Sequence, residues 1–362
     1  MIQVYITRGN VSQPEYAIID YVLVFFRLVN TCYSGGKMNK ITIGMTMTIL
    51  ILVLSACSPH FHLDLLGKAQ MQEVVLIESR VKEKILLLDI SGLIASSGKE
   101  GILDKEGDIL SQVYFRLKKA AEDNRVKGII LRLNTPGGEV TASDIIYHEI
   151  MNFKKRTGKP VLALMMGLTA SGGYYIASAC DLLVAHPSTL TGSIGVISLF
   201  PNLEGLLDKI GVQVHVIKSG KLKDSGSAFR QMTAEEQGVF QKIVDEYHQN
   251  FLDVVYENRK NLLSREELEK IADGRVMTAS QALKAKLIDE IGYFDKALHR
   301  ILDLAALPEA NVITYTYYPS RNTNIYAASL DHDFSLENSS LQEMAQSLKS
   351  GFYYLWHPQL FD

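Results

Sequence analysis

Apolar residues in this chain gather in short, nearly continuous runs, and between the runs they recur at helical spacing. Residues 85–90, Ile-Leu-Leu-Leu-Asp-Ile, form one run, and 128–133, 161–166 and 182–185 form others. A strand with so few polar positions needs cover on both faces, as in a parallel sheet flanked by helices. Residues 109–122, 142–153, 172–179 and 202–210 read as helices, and 212–217 (Val-Gln-Val-His-Val-Ile) alternates like a further strand. Strands alternating with helices imply crossover units in an α/β fold with a mostly parallel sheet. After residue 230 the character changes. Thr233 and Glu236 are placed as in a capping box, ahead of a long helix with an apolar stripe of Val239, Ile243, Tyr247, Phe251 and Val255. From 308 onward the pattern weakens and 320–340 is polar. Phe352-Tyr-Tyr-Leu-Trp356 is an aromatic tip to which the pattern assigns no role.

The amino-terminal part carries targeting information. Met38-Asn-Lys40 precedes an apolar stretch that ends in Leu54-Ser-Ala-Cys57. A positive region, an apolar run and small residues before a cysteine make a signal sequence. Leu54-Ser-Ala-Cys57 resembles a bacterial lipobox, in which the Cys57 thiol would be lipidated. The alternative is an uncleaved anchor, although the run is slightly shorter than the roughly 20 residues of a spanning helix. Both place the protein on the bacterial cell membrane with its catalytic part outside the cytoplasm. Residues 1–37 fit neither reading, and Met38 is the expected translation start. The expected layout is therefore an extension at 1–37, a signal or anchor at 38–57, a tether at 58–83, a catalytic protease domain at 84–306 and a tail at 307–362.

Composition narrows the class. Hydrophobic residues make up 47% of the 362, enough for a large core, and the net charge of −3 gives no basic excess for nucleic acid. The three cysteines, Cys32, Cys57 and Cys180, form no metal-ligand pair or disulfide framework, and Cys180 reads as a small buried apolar residue. With no phosphate loop or dinucleotide fingerprint either, no cofactor or metal is expected.

The candidate chemistry centres on Leu168-Thr-Ala-Ser171-Gly-Gly-Tyr-Tyr. Ser171 stands between an apolar strand and a helix start, where free backbone N–H groups favour negative charge. On these residues alone a nucleophile and a plain N-cap both remain open. A serine nucleophile needs a base. His186 and His215 read as structural, and no Gly-x-Ser-x-Gly elbow is present.

Three further segments join Ser171: Arg132-Leu-Asn-Thr-Pro-Gly137-Gly138, Thr191-Gly-Ser193-Ile-Gly, and Ile217-Lys-Ser-Gly-Lys-Leu-Lys223-Asp. In this order and spacing they resemble the signal peptide peptidase family of serine–lysine proteases, a branch of the Clp-protease/crotonase superfamily. The resemblance runs from about residue 84 to 304. It departs at Thr135, where serine is commoner, and at His186, often asparagine. It implies stacked β-β-α units with a C-terminal helical extension. By the same resemblance Ser171 is the nucleophile, Lys223 the base and Ser193 the residue that orients the lysine. The backbone N–H groups of Gly138 and Gly172 form the oxyanion hole, and Gly137 shapes the turn. A lysine base must be neutral, which burial favours. Lys218 and Lys221 remain solvated. The implied substrates are cleaved signal peptides and other extended apolar peptides, and the implied assembly is a homo-oligomeric ring whose sites are shared between neighbouring subunits. Two other readings stand beside this one: a crotonase-like acyl-CoA enzyme and a catalytically silent membrane scaffold.

Overall fold

The computed structural model describes residues 71–96, 108–317, 324–326 and 351–356. The expectations for 1–37, for the signal or anchor at 38–57 and for Cys57 lie outside these residues. The chain divides into two units, 1–68 and 69–362, and everything described belongs to the second.

The elements in chain order are β1 (Gln72–Ile77), β2 (Lys84–Ser91), α1 (Ile109–Glu122), β3 (Val126–Thr135), β4 (Gly137–Glu139), α2 (Val140–Thr157), β5 (Val161–Ala170), α3 (Gly172–Ala177), β6 (Leu182–Ala185), β7 (Leu190–Gly192) and β8 (Ile197–Leu199). There follow α4 (Glu204–Lys209), α5 (Ala234–Arg259), α6 (Arg265–Glu269), β9 (Val276–Thr278), α7 (Ala279–Lys284), β10 (Glu290–Ile291), α8 (Phe294–Leu304), β11 (Asn311–Thr316) and β12 (Gly351–Leu355).

The main sheet has the order β1-β11-β2-β3-β5-β6-β10, with β7 on β5 and β9 on β7. The pairs from β11 through β2, β3, β5 and β6 to β10 are parallel, as is β5–β7; β1–β11 and β7–β9 are antiparallel. This is the mixed α/β, largely parallel architecture that the alternation implied. The continuous apolar run of β2 has a simple cause. Leu86, Leu88 and Ile90 join one core with Ile146, Phe153 and Phe251, while Ile85 and Leu87 join another with Ile301 and Phe294. Helices α1, α2, α3 and α5 contribute to the first core and α8 to the second, so neither face of the strand meets water.

Helix boundaries follow local chemistry. Asp108 caps α1 by accepting from the Ser111 N–H at 2.8 Å, and α2 stops at Gly158, whose φ of 67° is left-handed. The Thr233–Glu236 capping box opens α5 as expected. Among the described residues, no helix is long and apolar enough to cross a membrane.

The structure differs from the pattern in three places. Residues 212–217 form no strand: Val212, Val214 and Val216 are 43–50% exposed, and alternation alone cannot make a strand without a neighbour to pair with. The α5 stripe is buried only toward its end, at Phe251 and Val255, while Val239 is exposed. The sheet also reaches beyond 84–306, taking β1 from the expected tether and β11 from the expected tail.

Candidate active site

The site is built at the point where β5 changes neighbours. Its first half, Leu162 to Met165, pairs with β6, and its last three residues pair with β7 in the register Leu168↔Leu190, Thr169↔Thr191 and Ala170↔Gly192. The next residue on each strand is therefore a serine beside a serine. The Ser171 N–H donates to the Gly192 carbonyl at 2.8 Å, and the Ser193 N–H donates to the Arg275 carbonyl at 2.8 Å. Both serines have positive φ, 52° and 51°. Non-glycine residues in that region carry strain of about 1–3 kcal/mol and cluster at functional sites.

Ser171 is 1% exposed, and its Oγ has no hydrogen-bond partner among the described residues. The hydroxyl does not cap α3, so the cap alternative does not hold. A buried hydroxyl without a partner is costly, and a reacting group is one reason for a fold to keep it. Ser193 is buried and borders a cavity of about 410 Å³ with Val196, His248, Asp273, Leu355 and Trp356.

The glycine turn lies against the backbone of Gly172, the residue after Ser171. Thr135 Oγ1 accepts from the Gly137 N–H at 3.0 Å and donates to the Gly92 carbonyl, which pins the turn. Gly137 has φ 97°, and a Cβ there would sit 2.6 Å from the Gly172 nitrogen. At Gly138 a Cβ would lie 1.9 Å from the Ile94 oxygen, so only glycine fits. Ile94 takes up the Gly137 carbonyl and the Glu139 N–H, at 2.9 and 2.8 Å. By strand alternation the Gly138 N–H and carbonyl then turn to the opposite edge.

That edge is occupied. β12 lies antiparallel between β4 and β8, in the register Tyr353↔Glu139, Tyr354↔Gly138 and Leu355↔Gly137 on one side and Tyr353↔Ile197 on the other. The aromatic tip without an assigned role is therefore a central strand of a second, three-stranded sheet at the site. Composition marked it as unusual, but its partners are more than 150 positions earlier in the chain.

Lys223 stands apart. It is exposed, on a turn where its N–H donates to the Gly220 carbonyl at 3.1 Å, and it makes no hydrogen bond to Ser171 Oγ. The burial expected of a lysine base is absent within one chain. Its neighbour Asp224 is held by Lys218 Nζ at 2.6 Å and by Arg230 Nη2 at 2.9 Å. Lys221 pairs with Glu235. His186 bonds Ser188 Oγ through Nδ1 at 2.7 Å, and His215 is exposed; neither bonds Ser171 Oγ. Cys180 is buried, and burial pushes its thiol well above the usual range.

Two family models match the sequence: Peptidase family S49 over residues 153–308 and Clp protease over residues 104–187. The chain is also 36% identical over 249 residues to the Enterococcus faecium protein named "Putative signal peptide peptidase SppA", an alignment covering 69% of this chain and 72% of that one. The chain belongs to peptidase family S49. Within the family it is 37% identical over 223 residues to Protease 4 of Haemophilus influenzae, covering 61% of this chain and 34% of that one. It is 32% identical over 251 residues to "Serine protease SPPA, chloroplastic" of Arabidopsis thaliana, covering 67% and 36%. It thus spans about a third of the length of these two relatives. Family membership supports a serine-type peptidase with the Clp-protease-like α/β fold described above.

Proposed function

We propose that this chain is a serine endopeptidase of extended apolar peptides, cleaved signal peptides among them, and that it works attached to a membrane. Ser171 Oγ attacks the peptide carbonyl, and the Lys223 amine accepts its proton. The C–N bond breaks, the leaving amine takes that proton, and water hydrolyses the acyl-enzyme with Lys223 again as base. Ser193 orients the amine. The N–H groups of Gly138 and Gly172 hold the oxyanion, where one donor is worth about 3 kcal/mol.

One observation carries the reading: a strained, buried serine whose hydroxyl has no partner among the described residues stands beside a glycine turn that already holds strand β12. The exposure of Lys223 supports a base delivered from a neighbouring copy of the chain, as the family resemblance implies. The unpaired, exposed apolar alternation at 212–217, on the same segment, fits a surface that needs such a neighbour. Membrane attachment rests on the sequence of 38–57.

Cleavage of a fluorogenic apolar peptide tests the proposal. Ser171→Ala and Lys223→Ala should each be inactive alone. Mixing the two and reassembling them should restore part of the activity, because some sites then combine an intact serine with an intact lysine. Full activity of either single variant would overturn the assignment. Two inactive variants that fail to complement would overturn the sharing of sites.

A further inference from the structure

One end of the main sheet gathers unpaired cations. Lys159 Nζ donates to the Ala120 carbonyl at 2.7 Å and to the Asp123 carbonyl at 2.9 Å, which ties the turn after α2 to the end of α1. The Ile129 N–H donates to the Pro160 carbonyl at 3.0 Å, so the start of β3 belongs to the same end. Lys118 on α1, Lys127 on β3, and Lys155 and Arg156 on α2 are thereby brought together. All four are exposed, and none has an ion-pair partner among the described residues. Burial holds the Lys159 amine below the usual lysine range, and the Lys127 charge lowers it further against the pull of Asp123, so Lys127 and Lys159 are near neighbours. Asp123 itself is taken up by Lys84 Nζ at 3.0 Å and Arg125 Nε at 3.2 Å, and Asp181 by Lys154 Nζ at 2.8 Å. Glu122 offsets one of the remaining charges.

A cation in the last turn of a helix complements its dipole, and that accounts for Lys155 and Arg156. It does not account for Lys127, which opens a strand. Nor does it account for the aromatic pair above Lys118. Tyr114 and Phe115 are 45% and 48% exposed, with ring centroids 5.4 Å apart, and their spacing puts both on the Lys118 face of α1. Exposed aromatic rings beside lysines suit a boundary between water and lipid. The chain also enters the fold at this end: Lys119 Nζ donates to the Met71 carbonyl at 2.6 Å. Cys57 lies fourteen residues before Met71 in the sequence, a reach of about 50 Å at most. The net charge of −3 means that the positive charge here is local to this end and no general property of the chain.

We propose that this end is a docking face for anionic phospholipid headgroups, with Lys118, Lys127, Lys155 and Arg156 as the phosphate-facing cations and Tyr114 and Phe115 as its interfacial rim. This rests on the membrane attachment proposed above and names the lipid that the attached chain meets. Attachment through 38–57 keeps the chain at a bilayer, and the cations fix which end of the fold lies against it.

The test reconstitutes the full chain with vesicles of neutral phosphatidylcholine, and with vesicles carrying about one-third anionic phosphatidylglycerol. Flotation reads attachment, and a water-soluble amine reagent reads exposure lysine by lysine. On the anionic vesicles Lys118, Lys127 and Lys155 should label about five-fold or more slowly than on the neutral ones, while the exposed Lys242 on α5 and Lys284 on α7 label alike on both. Salt at about 0.5 M should abolish the difference, because it shortens the Debye length to about 4 Å. Lys127→Gln combined with Arg156→Gln should bring Lys118 labelling on the two vesicles to within about two-fold. Equal labelling of the wild-type chain on both lipids, or protection that survives salt and the double variant, would overturn the proposal. A chain that floats with both vesicles yet labels alike on them loses the docking face and keeps its attachment. One that floats with anionic vesicles alone, and no longer does so in the double variant, keeps the docking face and loses attachment through 38–57. A chain that floats with neither loses both.

Discussion

The carbonyl oxygen of Tyr354 lies against the Cα of Gly137, so close that a Cβ on Gly137 would be 2.0 Å from it. The contact is between backbone atoms, so no rotamer change can relieve it. Gly137→Ala would also have to hold alanine at a φ of 97°. The expected result is a stability loss of about 2 kcal/mol and a fall in turnover of about 100-fold, because the turn that aims the Gly138 N–H is distorted. Thermal melting and peptide cleavage measure the two. A fully active Gly137→Ala enzyme would show that the turn does not aim the oxyanion donors.

Ser171→Ala should abolish cleavage without weakening the fold. Its hydroxyl is buried and has no partner among the described residues, so the serine bears a desolvation cost that alanine does not. Stability is expected to rise by about 1 kcal/mol, or roughly 2–4 °C in Tm for a domain of this size. A loss of stability would mean that the hydroxyl has a partner in solution, and so is not held ready for reaction.

Legibility in the sequence tracked how local each feature is. The run at 85–90 was readable because its neighbours on both faces are apolar, so each residue reports burial by itself. The stretch at 212–217 has equally good alternation, yet strand formation depends on a partner backbone that sequence pattern does not contain. Ser171 stood out through the strand before it and the glycines after it. Its contact with the Gly192–Ser193 turn depends on the register Ala170↔Gly192, which no local signal encodes. The aromatic tip was visible as composition but not as a strand, because β4 and β8 reach it only through the folded chain. Thr135 was passed over as a departure from the usual serine, although its hydroxyl holds the Gly137 turn.

The strand that leads into the glycine turn carries a buried ion pair. Arg132, on β3, donates through Nη2 to Asp89 Oδ2 at 2.6 Å and also bonds the Ile325 carbonyl, with the Arg132 and Asp89 side chains 7% and 10% exposed. Removing one partner leaves the other charge buried. Asp89→Ala is therefore expected to cost about 3–5 kcal/mol, and adding Arg132→Met should recover most of it. Denaturant midpoints of the two variants decide the matter. A double variant as unstable as the single would show that packing around Arg132, not its charge, is what Asp89 supports.

The turn bearing Lys223 is moored to the start of α5 through Asp224, Arg230 and Glu236. Arg230 donates to Asp224 Oδ1 at 2.9 Å and to Glu236 Oε2 at 2.9 Å, and Glu236 also closes the capping box with the Thr233 N–H at 2.8 Å. Hydrogen bonds from Arg230 hold both carboxyls well below the usual carboxylate range. A carboxyl depressed in the folded state contributes stability at pH values above its unfolded pKa, about 4, and loses it as pH falls through the folded value. The mooring should therefore be constant from about pH 5 to 8 and weaken only in acid. Arg230→Met removes it at every pH. The variant should lose roughly ten-fold or more in kcat/KM through misplacement of Lys223. Its Tm deficit relative to wild type should stay flat across the neutral window and shrink below about pH 4. A deficit that instead grows in acid would reverse the sign of the linkage and show that these carboxyls are not the groups that Arg230 restrains.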